Sequence, residues 1–311
     1  MTTQRDHGGG IDAAIRRYGG TRAGWLDLST GINPVPYPLP QLPDDAWNAL
    51  PDMGAFARLT HLARQFWNVP AKAAVLPANG ASAIIAALPR VLEGGKVCIP
   101  TPTYNEHAAA FRTAGWTISE TVHDAMVVVH PNNPDGKIWS TAKLSGRITI
   151  IDESFCDVIA DQSLIHLAER PNTIILKSFG KFWGLAGLRL GFAIGDPALI
   201  ARLSDLLGPW QVSGPALTIG AAALADPDWA DATRARLAAD SDRLDQLVTT
   251  KGAEVIGGTT LFRLYRVDDA PAWQDRLTQG HVWSRIFPYA DDWLRLGLPA
   301  PDRWGQLKAA L

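Results

Sequence analysis

From about residue 56 onward, short apolar runs alternate with longer stretches of helical composition, the pattern of strands joined by crossover helices. The runs fall at residues 74–76, 96–99, 126–130, 148–152, 173–177 and 190–194. Several are rich in Val and Ile without polar alternation, as strands covered on both faces should be, so a mostly parallel sheet is expected. Residues 82–92 and 106–114 each follow a strand and a turn and read as helices. In a sheet of this kind, functional loops gather at the carboxyl ends of the strands.

The two ends of the chain break this rhythm. Residues 1–43 are rich in Gly and Pro, and NPVPYPLPQLP at 33–43 is too dense in proline for a helix or a central strand, so an extended arm is expected. After Gly208, residues 215–250 carry charges of alternating sign, as on a solvated helix, and are expected to bridge two domains. The remainder, with GGTTLFRLYRV, a helix near 270–278, WLRLGLP and a final helix, reads as a small α+β domain. The expected organisation is an arm (1–43) contributing to the small domain, a large α/β domain (44–214), and an interdomain helix with the small domain (215–311). No internal repeat or low-complexity tract interrupts it.

Composition narrows the function classes. Among 311 residues, 47% are hydrophobic and 19% charged, the profile of a globular protein with a sizeable core. A formal charge of only -2, with no basic stripe, argues against nucleic acid as a partner. Cys98 and Cys156 sit inside apolar runs and read as buried thiols, which suits a reducing cytoplasm. MTTQRDHGGG has no apolar leader core, and no apolar stretch reaches the length of a membrane span. Dinucleotide and P-loop glycine motifs are absent, and no His/Cys cluster has metal-ligand spacing, so no metal is expected.

Chemistry concentrates around SFGKFWGLAGLRLGF at 178–192, which follows the run TIILK. A lysine amine condenses with an aldehyde to a Schiff base, and becomes nucleophilic when neighbouring cations or desolvation lower its pKa. Lys181 is the candidate, and Arg189 can supply the cation while binding a phosphate. A lone lysine in a Gly-rich loop is ordinarily a surface residue, and it is the company that changes the reading. Asp152 in IIDESF ends a strand, where it could pair with a pyridinium nitrogen or simply cap a helix. Gly80, Ala81 and Ser82 in PANGASA open a helix, where free N–H groups and the helix dipole favour an anion. Tyr104 in PTPTYNEH offers an aromatic face, and Asn133 in HPNNPDG a hydrogen bond to a phenolic oxygen. Either alone reads as a packed aromatic or an Asx turn.

The order NGAS, PTY, PNNPDG, IDESF, SFGK and GLRLG resembles the fold-type-I pyridoxal-5′-phosphate (PLP) enzymes over nearly the whole chain. The likeness lies in the branch of histidinol-phosphate aminotransferases and threonine-phosphate decarboxylases. DHGGG at 6–10 and LDLSTGINPVPYP at 26–38 look like the head of the cobalamin-biosynthetic decarboxylases. The resemblance implies a PLP-dependent transferase fold, a homodimer, and decarboxylation of L-threonine O-3-phosphate to (R)-1-amino-2-propanol phosphate. It makes Lys181, Asp152 and Tyr104 catalytic, and gives cofactor contacts to Gly80, Ala81, Ser82, Asn133, Ser178 and Arg189. Arg295 in WLRLGLP is implied to hold the substrate carboxylate and Arg285 in VWSRIF its phosphate, with His7, Gly8, Gly9 and Asn33 closing the site from the arm.

Three positions depart from the family. Phe155 stands where a Tyr is frequent, Leu50 where a Tyr commonly precedes the dimer-contact Pro51 and Asp52, and Gly180 where a Ser or Thr often precedes the lysine. A histidinol-phosphate-type aminotransferase would share every cofactor residue, and a PLP-binding module without activity would keep the fold. Taking Ser178 to Lys181 as the S-x-x-K of an acyl-enzyme fails for want of a K-T-G.

Overall fold

A computed structural model describes residues 7–311 and divides them into two units. Asp6, the first residue of the DHGGG segment, lies outside the described residues. The larger unit comprises Pro36–Asn133 and Lys137–Ala232; the smaller takes the N-terminal residues through Val35, Pro134–Gly136 and Thr233–Leu311.

The N-terminal segment contributes α1 (Ile11–Tyr18) and the short β1 (Leu26–Asp27) to the smaller unit. The arm expected to be extended therefore contains a helix. Its Ile11 and Ala14 are buried beside Trp25, with Ile15 and Tyr18 packed on the same cluster, so an apolar stripe too short to stand out in sequence is stabilised by burial.

The larger unit then runs α2 (Asp45–Asn48), α3 (Met53–Phe66), β2 (Ala74–Ala78), α4 (Ala81–Val91), β3 (Lys96–Cys98) and α5 (Asn105–Thr113). It continues with β4 (Thr117–Ile118), β5 (Ala125–Val129), β6 (Ile148–Asp152), β7 (Thr173–Ser178), β8 (Gly191–Gly195), α6 (Pro197–Leu207) and α7 (Gly214–Leu224). Its seven strands form one sheet in the order β2-β8-β7-β6-β5-β3-β4. All neighbours are parallel except that β8 runs against both β2 and β7. The six apolar runs each become a strand; the two-residue edge strand β4 has too little apolar character to be read. Ile84, Ile85 and Leu88 of α4, Phe111 of α5 and Leu203 of α6 bury against Val97, Val127, Ile150 and Ile174 of the sheet. A dozen or so fully buried aliphatic side chains of this kind, each worth about 1.5–3 kcal/mol, hold the sheet edge rigid.

α8 (Pro227–Thr249) carries the division between the units at Thr233, so the larger unit extends beyond residue 214. The segment 215–250 is two helices rather than one. Pro227 cannot donate an N–H into a continuing helix, and Asp226 accepts from Trp229 N at 3.0 Å to start the second. Nor is the first of the two solvated: Ala216, Leu217, Ile219, Ala221, Ala223 and Leu224 of α7 are buried, as the neighbour of α3.

The smaller unit closes with β9 (Glu254–Thr259), β10 (Phe262–Arg266), α9 (Ala270–Gln279), β11 (Val282–Trp283), β12 (Arg285–Phe287), β13 (Ala290–Gly297) and α10 (Trp304–Ala310). An antiparallel sheet of order β12-β13-β10-β9 and a parallel β1-β11 pair give it the expected α+β character. Among the described residues, no helix is long and apolar enough to cross a membrane.

One contact tests how tightly the sheet holds its neighbouring helix. A Cβ on Gly191 of β8 would lie 2.4 Å from the backbone N of Ala81 at the start of α4. Gly191→Ala should cost about 1–3 kcal/mol by overpacking, read as a lower urea midpoint at unchanged m-value.

Candidate active site

Strand direction explains how distant residues meet. Because β8 is reversed between β2 and β7, it begins where they end: Gly191 pairs with Ala78 on one side and Ser178 on the other. The turn at Gly80, the arginine preceding β8 and the hydroxyl ending β7 are thereby brought to one corner. Ala81, Ser82, Tyr104, Asn133, Asp152, Ser178, Lys181 and Arg189 line one pocket at this edge, with Ser154 and Phe155.

Gly80 is the N-cap of α4, with φ of 92° and no side-chain cap, so the first N–H groups of the helix are left for an external acceptor. Arg189 Nη2 stands 2.6 Å from where a Gly80 Cβ would be, so any other residue would push the guanidinium off the helix start. Arg189 itself has a left-handed φ of 55°, and its Nη1 donates to Ala186 O at 2.9 Å. Strained backbone of this kind persists where surroundings impose it. Helix N–H groups, a guanidinium and the Ser82 and Ser178 hydroxyls are a donor set that fits a phosphate. Ser178 Oγ also accepts from Gly180 N at 3.2 Å, so the glycine preceding Lys181 ties the loop to that hydroxyl.

Asp152 lies at the opposite wall, 2% exposed. Its Oδ1 accepts from Ser154 N at 2.9 Å and Ser154 Oγ at 2.5 Å, and its Oδ2 lies 2.8 Å from Nε2 of the buried His107. Burial by itself would raise the carboxyl pKa, but the hydrogen bond and charge of His107, then the two Ser154 bonds, hold it below the ordinary Asp range. With the carboxylate ionised, His107 Nε2 carries the proton and donates it. An anionic, hydrogen-bonded carboxylate fits the ring nitrogen of a pyridinium, which a helix cap would not require. The pocket thus fits PLP at both ends, phosphate and ring nitrogen.

Lys181 is half-buried at the pocket wall, its Nζ 5.3 Å from the centroid of Phe155. The residue that replaces the family's frequent Tyr therefore supplies an apolar face to the amine. Tyr104 N-caps α5 and meets His107 edge-on at 6.1 Å between ring centroids. Asn132 Oδ1 accepts from Thr103 Oγ1 at 2.6 Å and its Nδ2 donates to Pro102 O at 2.9 Å, tying the Tyr104 and Asn133 loops together.

Sequence reasoning missed His107, Ser154 and Asn132. His107 lies three residues after Tyr104, in the first turn of the helix that Tyr104 precedes, and that proximity was the available signal. Asn132 precedes Asn133 and Ser154 follows Asp152 by two residues, but each acts through a loop contact that the motif around it does not report.

The expected substrate residues lie in the smaller unit, where five of the six gather. Arg285 and Arg295 are directly opposite on β12 and β13, an arrangement that repels unless an anion sits with it. Arg295 is 5% exposed; burial and then the charge of Arg285 lower its pKa. Arg295 Nη2 donates to Ser29 O at 2.6 Å and Arg285 Nη1 to His7 O at 2.9 Å. Gly9 N donates to Ser29 Oγ at 2.6 Å, and a Cβ on Gly8 would lie 2.4 Å from Ser29 O, so the arm passes close over these arginines. Asn33 is instead engaged by Arg236, whose Nη2 donates to Asn33 Oδ1 at 2.6 Å. Arg236, on a helix read as solvated, was not anticipated.

Residues 40–124 and 117–304 match the family model for aminotransferases of class I and II, and the chain belongs to that family. It is 39% identical to a threonine-phosphate decarboxylase of Sinorhizobium sp., covering 98% of this chain and 96% of that one. Identity is also 39% to a threonine-phosphate decarboxylase of Pseudomonas aeruginosa, over 98% and 97% of the two chains. A crystal structure of histidinol-phosphate aminotransferase from Sinorhizobium meliloti in complex with pyridoxal-5′-phosphate shares the fold at TM-score 0.80 and 18% identity, covering 97% of this chain and 93% of that one.

Asp152 makes stability depend on pH in a defined direction. Its folded pKa is depressed, so its contribution is fully present above about pH 3.9, the unfolded value, and is lost as pH falls through the folded one. Asp152→Asn should flatten the acid-side loss, measured as urea midpoints that depend less on pH below about pH 4.

Proposed function

We propose that this chain is a PLP-dependent threonine-phosphate decarboxylase, converting L-threonine O-3-phosphate to (R)-1-amino-2-propanol phosphate for cobalamin biosynthesis in the cytoplasm. The observation that carries the cofactor assignment is the joint presence of Lys181, Asp152 and the Gly80–Arg189 corner in one pocket. The choice of decarboxylation over transamination rests on the two relatives at 39% identity, since the cofactor residues are common to both chemistries.

In this reading Lys181 would tether the cofactor aldehyde, and Arg189, Ser82, Ser178 and the amides of α4 would hold its phosphate. Asp152, oriented by His107 and Ser154, keeps the ring nitrogen protonated. Tyr104 covers the ring face and Asn133 binds the phenolic oxygen. When bound, the cofactor supplies an electron sink for the carbanion left at the substrate Cα. Arg295 holds the substrate carboxylate and Arg285 the phosphate, as guanidinium forks suit both anions. Holding the carboxylate would select the bond to be broken; once the substrate amine takes the place of Lys181 on the aldehyde, the released Nζ would be free to deliver a proton to Cα as CO2 leaves.

The chain is further proposed to act as a homodimer. Trp47, Leu50, Met53 and Trp210 of the larger unit are 74%, 67%, 82% and 54% exposed, and Met53 and Trp210 share a groove with Phe56 and Pro77. Exposed apolar side chains grouped in this way mark an association surface. Leu50 stands where the family commonly has a Tyr, so any contact made through that hydroxyl is missing from this chain.

Incubation with threonine phosphate should release CO2 and form no keto product, whereas a keto product would point to aminotransferase chemistry. Lys181→Ala should abolish turnover, and unaltered activity would sink the mechanism. Arg285→Ala should raise KM by about 10–100-fold, from loss of charged hydrogen bonds worth about 1.5–3 kcal/mol. Met53→Glu should shift the sedimentation coefficient from that of a dimer to that of a monomer.

A further inference from the structure

Behind the pocket, on the other face of the sheet, lies an ion network that the proposed chemistry does not use. Strand alternation sends Asp152 and Ser178 to the pocket, and their neighbours Glu153 and Lys177 the opposite way. Lys177 is 1% exposed, with Nζ 2.6 Å from Glu153 Oε2 and 3.6 Å from Asp157 Oδ1. Glu153 also accepts from Ser163 Oγ and Leu164 N, each at 2.6 Å. Asp157 accepts from Trp67 Nε1 at 2.9 Å and from Trp183 Nε1 at 3.2 Å. Burial works against the charge on Lys177, but the Glu153 and Asp157 carboxylates raise its pKa above the ordinary lysine value.

Apolar side chains could fill such a space at equal or better stability, so burying three charges calls for a reason beyond packing. Trp183 suggests one. It lies two residues after Lys181, stacked between Phe179 at 5.1 Å and Trp229 at 5.4 Å, both at 11° between ring planes. Gly184 N donates back to Lys181 O at 3.1 Å, closing the turn that carries the lysine, and Tyr37 N donates to Trp183 O at 2.9 Å. Stacking fixes the plane of the indole, and Tyr37, Phe66 and Phe182 meet it at an angle, so the direction of its N–H within that plane is the freedom left to settle. The Asp157 carboxylate, itself anchored by Lys177 and Trp67, removes that freedom through the indole N–H.

We propose that Asp157, held by Lys177, is a positioning residue for Lys181, setting the turn that presents the amine by gripping the Trp183 indole from behind the sheet. This rests on the reading of Lys181 as the cofactor-binding lysine.

Trp183→Phe is the milder test, since it keeps a stacked ring while deleting the donor together with part of the buried indole. With the PLP-loaded protein, the visible circular dichroism of the cofactor should change, and kcat on threonine phosphate should fall by about 10–100-fold, the scale of a misplaced reacting group. KM should stay near wild type, and the melting temperature of the cofactor-free protein should fall by no more than the loss of part of one buried ring accounts for. Asp157→Leu should give the same spectral change, and the double variant should lose no more kcat than the worse single one. Should Asp157→Leu fail to fold, Trp183→Phe decides alone. Wild-type dichroism and kcat in Trp183→Phe, or losses that multiply in the double variant, would overturn the proposal. If the wild-type protein shows no visible band that Lys181→Ala removes, the underlying cofactor reading fails instead, and the two failures are distinct.

Discussion

The site depends on a reversal of chain direction in the middle of a parallel sheet. Ala78, Gly191 and Ser178 stand in register on three adjacent strands because β8 begins at the edge where β2 and β7 end. Were β8 parallel to its neighbours, Arg189 would emerge at the far edge, about 17–20 Å away for strands of this length. The reversal lets the short link from Lys181 to Arg189 stay at the pocket edge, so one loop carries both the Lys181 amine and the Arg189 guanidinium. Gly191 permits the close approach of β8 to α4, and Gly80 leaves room for the guanidinium at the helix start.

Around this corner, electrostatics divides the labour between the two faces of the sheet. The pocket face carries Asp152 as an anion, its burial offset by His107 and Ser154. The rear face carries Lys177 as a cation among two carboxylates and two indoles. Each buried charge is paired with hydrogen-bonding partners, as the cost of desolvation requires. In the smaller unit the balance is different: Arg285 and Arg295 face each other across a strand pair, and a bound anion would relieve the repulsion. Cation-rich geometry of that kind suits a substrate with both a carboxylate and a phosphate.

Much of the larger unit was legible because a strand buried on both faces leaves a continuous apolar run, and all six such runs form strands. The proposed cofactor residues lie at or within a few residues of strand ends, where motif and position coincide: Gly80 to Ser82 after β2, Asn133 after β5, Asp152 at the end of β6, Lys181 after β7. The arm, the split of 215–250 and the edge strand β4 were not legible, for a shared reason. α1 is stabilised by packing on Trp25, and α7 is buried by its neighbours rather than exposed as its flanking charges suggested.

Local patterning and motif order in the amino-acid sequence were thus enough to establish an α/β core and to single out Lys181, Asp152, Gly80 and Arg189 as candidates. The strands, and the turns that carry these residues, depend on neighbours in the chain and are recorded in its periodicity and turn chemistry, whereas the meeting of Gly80 with Arg189 was decided by the reversed β8. Only the tertiary structure decided that His107 orients Asp152, that Phe155 faces Lys181, that Arg236 engages Asn33, and that Lys177 and Asp157 reach Trp183. Each of these joins positions that strand order or helix packing brings together, and a contact made through space leaves no period in the chain.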